Sequence, residues 1–192
     1  MDEIHEYESE LGLSANFLVS LMNESDWSFV IKLNALIEAA CTDSLVALLY
    51  APELRDALSA LDLAHPKYGK IALLRTMGSI TSQQASVLQE IYQLRNKLAH
   101  NVHQVNFSFR AHIAGLDKQQ KRNFAARAGH SLREPLNLHG KNYTALEFVV
   151  AAPKFSIWLS VSEILACLRL DRKKAAARLE SIGLDALRNN PE

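Results

Sequence analysis

The stretch Arg95-Asn96-Lys97-Leu98-Ala99-His100 holds the side chains best suited to moving a proton beside a phosphate. Imidazole titrates near neutral pH and can give or take a proton. A guanidinium is always charged, and its planar fork of donors matches two phosphate oxygens. By composition alone, an Arg followed five positions later by His arises roughly 0.4 times in such a chain, and roughly 0.02 times when Asn must follow the Arg. On a helix five positions advance by about 500°, so Arg95 and His100 stand about 140° apart, with Asn96 one turn before His100. Leu94 and Leu98 point into the core between them. Arg95 and His100 then flank the apolar stripe, where a cleft between two helices or two subunits would lie.

Other chemistry is less well supported. Arg133 and His139 have a comparable spacing, but Pro135 between them breaks the helix such a pair needs. Arg169, Arg172, Lys173, Lys174 and Arg178 form a basic run that could touch phosphates and reads more simply as a solvated helix surface. The histidines never fall at a metal-ligand spacing with a Glu partner, and neither a Gly-rich phosphate loop nor a nucleophile elbow occurs. Nothing matches a DNA-reading helix-turn-helix. Cys41 and Cys167 sit in apolar, helix-like stretches and read as free thiols of a reducing compartment.

The elements that must position the hexapeptide are helical. Thr81 and Gln84 form a capping box, and Val87, Leu88, Ile91, Leu94 and Leu98 give the helix it opens a buried stripe reaching about Asn101. Upstream, apolar residues recur every three or four positions from Asp26, a candidate N-cap, to Tyr50. A short helix follows from Pro52 to about Leu61, and another carries Ile71, Leu74 and Met77 and stops at Gly78. Val105, Phe107 and Phe109 alternate with polar residues but stand alone, so a loop is expected there. Asp117 and Gln120 form a second capping box, opening a basic helix closed near Gly129. His139 to Asn142 reads as a turn. Pro153 starts a long last helix that continues through Leu179, with Gly183 as its expected stop. The sum is a single all-α domain over 1–192, an antiparallel helical bundle with its core at about 20–170 and a helical tail at 171–192.

The chain has 192 residues, 48% of them apolar, with few Gly or Pro, which excludes collagen-like, disordered and disulfide-dense classes. The formal charge is zero, but residues 1–62 hold 12 acidic and 2 basic side chains, a balance of −10, which leaves the remainder at +10. Such a split suits two halves packed on each other, or a basic half facing an anionic ligand. Met1 to Glu10 lacks the basic start and apolar run of a signal peptide, and the most apolar segment, Phe155 to Leu170, is interrupted by Glu163 and too short for a bilayer. A cytoplasmic protein without membrane contact is expected.

The sequence RNKLAH resembles the Arg-Asn-three-residues-His signature of HEPN domains, small helical proteins of toxin–antitoxin, antiphage and CRISPR-associated systems. The wider pattern is similar to the mannitol operon repressor branch: Glu24-Ser25-Asp26 before an apolar helix bearing Glu38, a turn at Gly78, the RNKLAH helix, and a long apolar helix after a Pro. The resemblance spans roughly residues 20–170, and its specific motif is the hexapeptide. It implies a metal-independent endoribonuclease, or an RNA-binding protein, of toxin or defence type. Its composite site would form across a homodimer, with Arg95, Asn96 and His100 catalytic and Glu38, Lys97 and Asn101 as supporting groups. It implies no cofactor, and RNA and an antitoxin or regulatory protein as partners. The alternative it carries is a non-catalytic transcriptional regulator acting through protein partners. A purely structural role also suits these residues: His100 would complement the negative helix end, and Arg95 would pair with an acid such as Glu38 or Asp43.

Overall fold

In the computed structural model, which describes residues 2–138 and 140–189, the chain is all-α, with one two-stranded hairpin among the described residues. The helices are α1 (Asp2–Glu10), α2 (Phe17–Ser20), α3 (Asp26–Leu48), α4 (Arg55–Ser59), α5 (Lys70–Thr76) and α6 (Ser82–Ala99). They are followed by α7 (Phe109–Ala114), α8 (Lys118–Ala128), α9 (Ala145–Ala151) and α10 (Pro153–Asn189). No single helix among the described residues is long and apolar enough to cross a membrane.

The α3 helix is the centre of the bundle because it is apolar nearly all round, which only a helix covered on several sides can be. It packs against α10, α6, α5 and α4, and buries Phe29, Leu33, Ile37, Ala40, Cys41 and Leu45 completely or nearly so. Its N-cap is Ser25, whose side chain accepts from the Ser28 N–H, not the expected Asp26. Asp26 sits in the first turn, and its carboxylate serves a second element by accepting from the Phe109 N–H at 2.8 Å. That bond pins the start of α7 to the start of α3.

The Thr81–Gln84 and Asp117–Gln120 capping boxes form as the sequence predicts, so α6 and α8 begin where their orphan backbone donors are satisfied. The α6 stripe Val87, Leu88, Ile91, Leu94 and Leu98 is buried. Gly78 stands at φ 75°, a left-handed turn after α5 that a Cβ would strain.

Several expectations change. Val105 to Ser108 is turn and loop, as expected, and the change falls at Phe109, which opens α7 behind Ser108, its cap; a short 3₁₀ turn precedes the segment at Val102–Gln104. Phe109 is buried because its ring lies 6.0 Å from that of Phe29 and 5.2 Å from that of Phe107, so aromatic packing displaces alternation as the organiser. The turn after residue 138 joins two short strands, β1 (Leu136–Leu138) and β2 (Lys141–Tyr143), paired antiparallel with Leu136 opposite Tyr143; His139 itself lies outside the described residues. The α9 helix has its own capping box, Thr144 with Glu147. Finally, α10 runs past Gly183 to Asn189. A glycine costs a helix interior only about 1 kcal/mol and stops nothing unless the following residues favour a turn.

The charge split is resolved by packing of the two halves. Acids of α1 and α3 face bases of α10: Arg169 meets Glu6 at 2.5 Å and Glu10 at 3.3 Å, Arg172 lies 3.6 Å from Glu10 and 3.9 Å from Asp43, and Lys154 is 3.6 Å from Asp26. The basic run is therefore only partly a solvated surface. Lys173, Lys174 and Arg178 are exposed, whereas Arg169 is 6% exposed and acts as a buried tie for α1. Glu8, fully buried, adds a second tie by accepting from the N–H groups of Asn16 and Leu18 at 2.7 and 2.9 Å.

Candidate functional site

Burial of Leu94 and Leu98 fixes the rotation of the last turns of α6 and so decides where the polar members of the hexapeptide point. Arg95 and Asn96 are half-buried; Lys97, His100 and Asn101 are exposed. His100 is the C-cap, its N–H bonded to the Asn96 carbonyl at 3.2 Å, which leaves the imidazole beyond the last turn and free of the helix backbone.

Arg95 is held by its neighbour: Nη1 donates to Asn96 Oδ1 at 2.9 Å. Asn96 stands one turn after Tyr92 on the same face and acts against the rise of the phenol's pKa. Tyr92 donates its own proton to Asp62 Oδ2 at 2.5 Å. This bond holds the Asp62 carboxyl below its ordinary range, with the Ala64 and His65 N–H groups adding to the effect, and it raises the Tyr92 phenol above its usual value. Two side-chain bonds, Tyr92 to Asp62 and Arg95 to Asn96, therefore lie one turn apart along the outer face of α6. Among the described residues Arg95 makes no ion pair, and the His100 side chain has neither an ion pair nor a hydrogen bond.

The residues expected to support the pair divide. Lys97 lines a cavity of about 440 Å3 with His103, Phe107, Ser108 and His112, which neither Arg95 nor His100 enters. Asn101 is occupied with local structure, its Oδ1 accepting from the His103 N–H at 3.0 Å to cap the 3₁₀ turn. Glu38 is committed elsewhere: it lies 3.3 Å from Nζ of Lys70, a residue 1% exposed, and borders a separate cavity with Asp43, Arg55 and Arg172. No contact joins Glu38 or Asp43 to Arg95 among the described residues, so the ion pair that would make Arg95 purely structural does not form. Arg133, the other arginine at a comparable spacing, pairs at 3.5 Å with Glu163 of α10.

The hexapeptide pattern does not include Tyr92 or Asp62. Tyr92 was within reach of it, because it precedes Asn96 by one helical turn on the same face. Asp62 was not, since nothing in the sequence brings its loop to α6. Among the described residues no group of three or more His, Cys, Asp or Glu side chains is arranged to hold a metal ion. Chemically, the arrangement offers a positioned cation and, beyond the end of the helix, an imidazole open to solvent.

Comparison with family models, with curated proteins and with solved structures finds no match to this chain.

Proposed function

We propose that the protein is a metal-independent endoribonuclease whose working site is composed of two copies of the Arg95–His100 motif in a homodimer. The observation that carries this reading is the state of the two side chains: a guanidinium held by Asn96 and paired with no carboxylate among the described residues, and an exposed imidazole without a side-chain partner. In RNA the ribose 2′-hydroxyl attacks the adjacent phosphorus and the 5′-oxygen of the next nucleotide leaves, giving a 2′,3′-cyclic phosphate and a 5′-hydroxyl. A neutral His100 takes the 2′ proton, and the second copy, protonated, returns one to the leaving oxygen. Such general acid–base transfer is worth about 10²–10⁴ in rate. Arg95 offsets charge on the non-bridging oxygens, and Asn96 fixes the plane of its fork.

Purified protein incubated with total RNA in EDTA is expected to produce fragments ending in cyclic phosphate, and the His100→Ala form to leave the RNA intact. Intact RNA with both removes the reading. Light scattering is expected to give about twice the chain mass of 21.4 kDa; a monomer at micromolar concentration contradicts the composite site.

A second reading, a regulator acting through a protein partner, draws on Val102 and Val105, which are 82% and 54% exposed immediately after His100. Expression in cells separates the two. A ribonuclease slows growth in a manner relieved by Arg95→Ala, whereas a regulator of this kind is tolerated.

A further inference from the structure

Between Glu90 and Glu134 the chain holds eight Lys or Arg side chains and one acid, Asp117, whose carboxylate caps α8. Glu90 and Glu163 answer Arg127 and Arg133. Arg95, Lys97, Arg110, Lys118, Lys121 and Arg122 carry no ion pair among the described residues. A basic segment alone is an ordinary solvated surface. This one also encloses a concavity with aromatic walls.

The cavity of about 440 Å3 that starts at Lys97 forms where the end of α6, the 3₁₀ turn and α7 come together. Its lining includes the Phe107 ring, the imidazoles of His103 and His112, and Leu116, and no carboxylate. These groups reach its space: Lys97 and His103 are exposed, and Phe107 and His112 are half-buried. Packing holds the rings in place, Phe107 lying 5.2 Å from the buried Phe109 and 5.8 Å from His112. Burial, with Lys97 adding to it, keeps the His112 pKa below its ordinary value, so at neutral pH that ring is uncharged. An aromatic wall beside cations, without a competing acid, suits a flat uncharged ring tied to an anion, which is what each nucleotide of a single strand presents.

We propose that this cavity receives one base of single-stranded RNA, stacked against Phe107, with the flanking phosphates on Lys97 and His103. The volume allows it: about 150 Å3 holds a benzene ring, and this cavity has room for a base with its sugar. Gln104 and Asn106 also line it and bring amide groups that can pair with a base edge. Lys97 stands one turn before His100, so the base held here neighbours the bond on which the imidazole acts. Naming the strand as RNA rests on the ribonuclease reading, whereas stacking and phosphate contacts need no 2′-hydroxyl. An acidic protein segment would meet the cations and leave the rings unused.

The test uses a fluorescein-labelled hexamer of 2′-O-methyl RNA, which attack by the 2′ oxygen cannot cleave, so anisotropy reads binding whether or not the protein is a ribonuclease. The full chain is expected to bind it at least about fivefold tighter than an abasic hexamer of equal charge. Phe107→Leu is expected to lose roughly 5- to 140-fold toward the base-bearing hexamer and little toward the abasic one. Two exposed positions keep the test independent of the Phe107 packing. Lys97→Gln is expected to lose severalfold and to lower the salt slope by about 0.7. Ala111→Glu, which puts bulk and a carboxylate at the cavity, is expected to erase the preference for bases. Arg75→Gln, beyond the opposite end of α6, is expected to bind as wild type. Equal affinity for the two hexamers, an undiminished preference in Ala111→Glu, or as large a loss in Arg75→Gln as in Lys97→Gln would overturn the proposal, as would no binding at all. A base preference lost in Ala111→Glu, in a protein that leaves ordinary RNA whole, would remove the ribonuclease reading and leave the base site standing.

Discussion

Two charged regions of this molecule are built on opposite plans. Where α10 meets α1 and α3, cations are buried or half-buried and answered by carboxylates: Arg169 by Glu6 and Glu10, Arg172 by Glu10 and Asp43, and nearby Lys70 by Glu38. At the end of α6, Arg95 and His100 meet solvent and no carboxylate answers either among the described residues. The first plan suits stability, because a buried charge must be paired to be tolerated at all. The second leaves a cation free to meet a phosphate. The contrast teaches that the charge split of the chain serves assembly of the bundle where its halves meet; exposed cations without an ion pair among the described residues also include Arg75, Arg110 and Arg122, and what sets Arg95 apart is its bond to Asn96.

The sharpest way to break this contrast is to mutate each region and read both stability and activity. His100→Ala is expected to lower RNA cleavage by about 10²–10⁴ while changing stability by less than about 0.5 kcal/mol, as exposed substitutions do. Urea melts beside a cleavage assay check both halves. At the buried pair the order reverses. Glu38→Ala leaves the Lys70 ammonium with only the Ser59 carbonyl, at 2.9 Å, and is expected to cost about 2–3 kcal/mol. Lys70→Met leaves a half-exposed Glu38 that water can solvate, and is expected to cost less. A larger loss from Lys70→Met than from Glu38→Ala would contradict the account of that pair.

Smaller effects sharpen the comparison. Tyr92→Phe removes the bond to Asp62 and the hydroxyl one turn before Asn96; cleavage is expected to fall by about tenfold with folding near wild type, the cost of one misplaced phosphate contact. The smallest effect concerns pH. Burial lowers the His112 pKa below its ordinary 6.5, and Lys97 adds to the shift. The unfolded chain then binds the proton first, so stability holds above about pH 6.5 and falls as the pH drops below it. A Tm that declines from pH 7 to pH 5, less steeply in His112→Gln, is the expected result.

The fold was legible where a single local rule decides. Capping boxes at Thr81 and Asp117, the apolar stripe of α6 and the stop at Gly78 all follow from side chains within one or two turns of each other. The box at Thr144 with Glu147 obeys the same rule. What failed depended on distant partners. Phe109 joins a helix because the Phe29 ring and the Asp26 carboxylate receive it, and Arg169 is buried because α1 folds back across α10. In the candidate site, helix geometry placed Arg95 and His100 on either side of the Leu94–Leu98 stripe, which is buried; the exposure of His100 was not legible. Nor were the commitment of Glu38 to Lys70 and the reach of Asp62 to Tyr92, since both join segments some thirty residues apart.

The most direct test is single-turnover cleavage of a defined RNA in EDTA by wild-type protein and by the His100→Ala and Arg95→Ala forms, all three with matching melts. Cleavage by the wild type to a cyclic phosphate, reduced at least a hundredfold in both variants, is the predicted result. RNA left whole by the wild type, or cut equally well by the two variants, contradicts it.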